Sequence, residues 1–87
     1  MHERSLVDDL VRKAKDAARA EGATGVAGVH VTLGAMSHLS PEVLTEAFQR
    51  ATHGSLLEGA ELVIDVTTGI DDPHAQDVLL TAVDVVV

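Results

Sequence analysis

The sequence predicts an α+β domain: two helices packed on one face of a small, about three-stranded, mostly antiparallel sheet, in the order αβαββ. Three observations predict it. Apolar residues recur at three- and four-residue spacing before residue 20 and again after residue 41. Apolar and polar residues alternate at 28–33 and 61–67. Glycine or proline marks each junction between these segments. At 87 residues the chain is a single domain, since a domain takes roughly 150 residues.

The first 20 residues read as a helix. Leu6, Leu10, Ala14, Ala17 and Ala18 share a face with Val7 and Val11 beside them, while Asp8, Asp9, Arg12, Lys13, Asp16 and Arg19 take the opposite side. Ser5 reads as the N-cap, with Asp8 and Asp9 near the positive end of the helix dipole, and Gly22 as the stop. Val26 to Leu33 is a strand, with Val29, Val31 and Leu33 inward and Gly28, His30 and Thr32 outward. Ser40-Pro41-Glu42 is a cap, a first-turn proline and an acid, and opens a second helix over about 41–52 with Leu44, Ala47, Phe48 and Ala51 on one face. Glu61 to Thr67 is a second strand, with Leu62, Ile64 and Val66 inward. The polar segment 68–76 reads as a turn. Val78 to Val87 is a third strand, apolar in both alternations, so its inward face is ambiguous. The last two strands, joined by that turn, suggest an antiparallel hairpin.

Composition excludes several functions. The net charge of −8 opposes nucleic acid and anionic membrane surfaces. With no cysteine there is no disulfide, no thiolate nucleophile and no thiolate zinc site. One Phe, no Tyr and no Trp leave no stacking platform for bases or sugars. The polar start and the lack of a long apolar run suggest a cytoplasmic protein without a targeting segment.

The candidate chemistry is sparse. Ser37 beside His38 is a poor nucleophile–base pair, because adjacent residues seldom converge. Asp71, Asp72 and His74 make a thin metal loop, and enzymatic use of them lacks a second domain to enclose a substrate. His30, His38 and His53 read as ordinary exposed imidazoles, and no two histidines share a helical face at ligand spacing. His2 stands apart through its position. A free Met1 amine, the first backbone amides and the His2 imidazole offer up to four nitrogens in a plane, which suits Ni(II) or Cu(II) better than tetrahedral Zn(II). Loading such a site releases protons, so affinity falls with acid.

Several segments together resemble the HypA/HybF family of nickel metallochaperones. Met1-His2-Glu3 opens an amphipathic helix. Val29-His30-Val31-Thr32-Leu33-Gly34-Ala35-Met36-Ser37 is similar to the family's strand and LGxLS element. Pro41-Glu42 through Phe48 resembles its second helix, Thr52-His53-Gly54-Ser55 its T-x-G-(T/S) segment, and Leu57-Glu58-Gly59-Ala60-Glu61-Leu62 its EGAEL strand start. The likeness covers about residues 1–66, and Val78–Val87 is similar to the closing strand. It implies a cytoplasmic, non-enzymatic carrier of nickel for maturation of [NiFe]-hydrogenase or urease. The implied partners are the hydrogenase large subunit or urease accessory machinery and a HypB-type GTPase, with homodimerisation left open. The implied nickel ligands are the Met1 amine, the His2 imidazole and amide and the Glu3 amide. The Glu3 side chain either supports those ligands or simply places negative charge at the helix start. The family also carries a zinc domain with two CxxC pairs between its last two strands. Here only the turn at about 68–77 stands there, so the chain reads as the nickel domain alone, with no zinc expected. The competing reading is a metal-independent interaction module, with the Val78–Val87 strand as a sheet edge or, alternatively, a covered central strand.

Overall fold

The computed structural model describes residues 3–37, 39–69, 71, 73 and 76–87, without the side chains of Glu3 and Arg4. The elements are α1 (Glu3–Ala20), β1 (Gly25–Leu33), α2 (Pro41–Thr52), β2 (Glu61–Val66) and β3 (Val78–Val86). This is the expected α+β arrangement in the expected order.

Helix α1 starts at Glu3, so Ser5 lies inside the helix and is not its cap. Glu and Arg are good helix formers, and nothing in Glu3-Arg4 interrupts the helical run before Ser5. Val7, Leu10, Val11, Ala14 and Ala18 form its buried stripe, whereas Ala17 is exposed. Helix α2 is capped as expected: the Ser40 hydroxyl accepts from the Val43 amide at 3.2 Å. Leu44, Ala47 and Phe48 face the core, where they meet Leu57 from the following loop.

The sheet has the order β2-β1-β3. β1 pairs with β2 in parallel and with β3 antiparallel. The sheet is therefore mixed, and the last two strands form no hairpin with each other. The reason lies in the connection: α2 carries the chain from β1 back to a parallel neighbour, as such pairings require. β3 then fills the free side of β1. The placement also makes β3 an edge strand, not a covered central one.

The inward face of β3, ambiguous in sequence, consists of Val78, Leu80, Val83 and Val85, all packed against the core. The register shifts between His30 and Val31, leaving Thr81 as an extra residue whose hydroxyl donates to the His30 carbonyl at 3.1 Å. That bulge breaks the simple period of two and explains why neither alternation was clean. On β1, Val29, Val31 and Leu33 are buried as expected. Both helices cover this inner face, and no described helix is long and apolar enough to cross a membrane.

Candidate metal centre

The ligands implied at Met1 and His2 lie outside the described residues. Glu3 is the first residue of α1, so its amide opens the helix. The first four amides of a helix have no intrahelical acceptor. A chelate that consumed the Glu3 amide would therefore break no helical hydrogen bond. What the described chain supplies is an anchored start: within two turns, Val7, Leu10 and Val11 are at most 5% exposed and pin α1 to the core.

The remaining histidines do not assemble. His30 points from the outer face of β1, where its Nε2 donates to Asp84 Oδ2 at 2.7 Å. It thus has a partner the sequence did not show, because the residues are 54 positions apart and meet only through the β1–β3 register. His53 Nδ1 lies 2.9 Å from Glu58 Oε2, both exposed. His38, Asp72 and His74 lie outside the described residues. The Ser37 hydroxyl accepts from the Leu39 amide at 3.1 Å, which makes it a turn-former. Among the described residues no three His, Asp or Glu side chains converge to hold an ion.

The segments that carried the family resemblance serve architecture. Thr52, 3% exposed, donates its hydroxyl to the Phe48 carbonyl at 2.8 Å. Ser55 donates to the Thr52 carbonyl at 2.7 Å and accepts from the Leu57 amide at 3.1 Å. Gly54 between them has φ +76° and Gly59 has φ +80°, backbone conformations open to glycine at little cost. Together they stop α2 and seat Leu57, fully buried, in the same core as Phe48. At the end of β1 the Gly34 amide donates to the Asp77 carbonyl at 2.9 Å.

The family model described as "Hydrogenase/urease nickel incorporation, metallochaperone, hypA" matches residues 1–70. The hydrogenase maturation factor HypA of Methylocella silvestris is 38% identical over 69 residues, covering 79% of this chain and 61% of that protein. The HypA of Methanosarcina mazei is 36% identical over 66 residues, covering 76% of this chain and 48% of that protein. The chain thus spans about three fifths or less of these relatives' length. In fold, it is similar to the solution structure of the Ni metallochaperone HypA from Helicobacter pylori. The TM-score is 0.82 at 18% identity, covering 99% of this chain and 98% of that one. The sequence match ends before β3, while the likeness in fold runs through it. The extent of the sequence match and the identity to these relatives settle the matter: the chain belongs to the HypA family of hydrogenase/urease nickel-incorporation metallochaperones.

Proposed function

We propose that the protein is a nickel-carrying accessory factor for maturation of [NiFe]-hydrogenase or urease, and that it holds Ni(II) through the Met1 amine, His2 and Glu3. The observation that carries this reading is the family match over residues 1–70, which includes all three positions. The ligands would be nitrogens in a plane, and a chelate at a chain terminus can be peeled off stepwise by a receiving site. Such a site prefers Cu(II) over Ni(II) by the general order of divalent affinities. Nickel selectivity then comes from supply and from partners, for which a HypB-type GTPase and the client's large subunit are the candidates. The setting we infer is the cytoplasm.

The family's zinc domain has no counterpart in this reading, because the chain contains no cysteine to build it. The connection 67–77 stands in its place. Both ends of that connection are tied to the same end of β1. Leu33 is in register with Val66 on one side and Val78 on the other. Thr67 donates its amide to the Leu33 carbonyl at 3.0 Å, and its hydroxyl accepts from the Ala35 amide at 3.2 Å. These bonds hold the strand ends whatever joins them.

Calorimetric titration of tag-free protein with Ni(II) near neutral pH tests the site. We expect one-to-one binding, lost in His2→Ala and lost equally when extra residues precede Met1, because extension turns the amine into an amide. We expect both variants to keep the fold, since His2 precedes the first described helical residue and the buried stripe of α1 begins at Val7. Unchanged curves for either variant would remove the assignment. The alternative, a metal-independent interaction module, predicts no binding in any of the three.

A further inference from the structure

We propose that the open face of the sheet, opposite the helices, docks a cationic segment of a partner protein that carries Lys or Arg side chains interspersed with small apolar ones. This goes beyond nickel carriage and does not depend on it.

The registers define the face. Val63 and Ala82 flank His30, and Asp65 and Leu79 flank Thr32. Their strand neighbours Leu62, Ile64, Leu80 and Val83 pack on the core, so this set points the other way. Val63 on β2 is 38% exposed and Leu79 on β3 37%, and with Ala82 of β3 they lie on either side of His30 and Thr32 of the central strand. Beside them stand Glu61, Asp65 and Asp84. Asp84 is spoken for by His30, whereas Glu61 and Asp65 make no ion pair with any described residue.

Charge chooses the occupant. All six Lys and Arg residues precede residue 53, whereas half of the 14 acids follow it. Those six bases all lie in α1 or α2. The helical layer is thus close to neutral, and the sheet with its flanking loops carries nearly the whole net charge of −8. Exposed apolar side chains set among charged ones give a face that a protein segment can cover. Carboxylates of one sign on it attract a basic partner and repel an acidic one. The same sign rejects nucleic acid and anionic lipid. It also disfavours the same face of a second copy, which would bring like charges together. Strands about 4.8 Å apart and rising ~3.3 Å per residue give a face of a few hundred Å², the size of a transient contact.

The test is an NMR titration of the metal-free full chain with a capped Lys-Leu-Lys-Ala-Lys-Leu-Lys peptide. We expect amide shifts to move at Val63, Leu79 and Ala82, and the affinity to fall as salt rises. Glu61→Lys/Asp65→Lys weakens binding by about tenfold or more, whereas Asp16→Lys/Glu46→Lys, the same charge change on the helices, leaves it within about twofold. Ala82→Arg, which sets a bulky cation on β3 within this face, is the second variant should the first fail to fold, and loses binding likewise. Shifts confined to the helices, equal weakening by both charge variants, or no binding would overturn the proposal. So would light scattering that shows a dimer disrupted by Ala82→Arg, which would make a second copy the occupant.

Discussion

A β-carbon at Gly28 would lie 2.8 Å from Asp84 Oδ2, the oxygen that accepts from His30 at 2.7 Å. Asp84 reaches across the space where a β1 side chain would otherwise stand. Gly28→Ala therefore pushes the carboxylate aside and takes the acceptor from His30. The carboxylate is the free end of a side chain 61% exposed, so it can swing away cheaply. We expect a loss of at most about 1 kcal/mol in urea unfolding, since exposed pairs contribute little. In an Asp84→Ala background the same change becomes neutral or stabilising, because Ala outperforms Gly in a strand by about 0.5–1 kcal/mol. Equal cost in both backgrounds would show that Gly28 matters for something other than Asp84. Read from the sequence, His30 was an idle exposed imidazole and Gly28 a small residue in a strand. Their shared use of Asp84 was invisible because it exists only across the ladder.

At the scale of elements, the two helices were legible for different reasons. Helix α2 announced its start in three residues, and each performs its expected part, Ser40 as cap and Pro41 as first helical residue. Ser40→Ala removes the hydroxyl that accepts from Val43 and should cost about 1 kcal/mol. In a domain of this size that lowers the melting temperature by roughly 4–8 °C, with Ser40→Asp restoring most of it. A melting temperature unmoved by Ser40→Ala would mean that the helix start is held by packing alone. Helix α1 was legible from its apolar stripe but not from a cap, because Ser5 is a helical residue. Its exposed side is laced by Asp9, which pairs with Lys13 Nζ at 2.9 Å and with Arg12. The Lys13 hydrogen bond, followed by that of Arg12, holds the Asp9 carboxyl below the usual carboxylate range. A depressed acid supports the fold above its ordinary pKa, so this small contribution is present at neutral pH and is lost as acid protonates Asp9. The strands were legible as strands, but their partners were not. Adjacency in sequence suggested a hairpin of β2 and β3, whereas both pair with β1.

For the molecule as a whole, the 67–77 connection joins the two outer strands of the sheet. The strand ends it joins both sit beside Leu33, on opposite sides of β1, so they are about two strand spacings, ~10 Å, apart. Backbone hydrogen bonds at Thr67 and Asp77 fix those ends from the β1 side. Inserting a Gly/Ser segment between Gly69 and Gln76 that doubles the connection should cost only about 0.6 kcal/mol, the closure entropy of a longer loop. Denaturant unfolding checks this, and a loss of several kcal/mol would mean that the connection itself holds the fold. The core lies on the helical side of the sheet. Its largest buried members, Phe48, Leu33, Leu44 and Leu57, come from β1, α2 and the loop after α2.

The sequence by itself determined the segments, the family, the buried face of β1 and most of those of α1, α2 and β2, where Ala17, Ala51 and Val66 were expected inward and are exposed. Those properties depend on local spacing, on capping chemistry and on glycines at turns such as Gly54, all written in short stretches of chain. It also supplied Met1, His2 and Glu3 as the proposed nickel ligands, through the family's pattern and their place at the chain start. Only the tertiary structure decided the strand order, the inward face of β3, the pairing of His30 with Asp84 and the gathering of uncompensated acids on the open sheet face. Each of these depends on which strand lies beside which. That choice is made when α2 carries the chain to a parallel neighbour of β1 and leaves the other side of β1 to β3, and no local spacing encodes it.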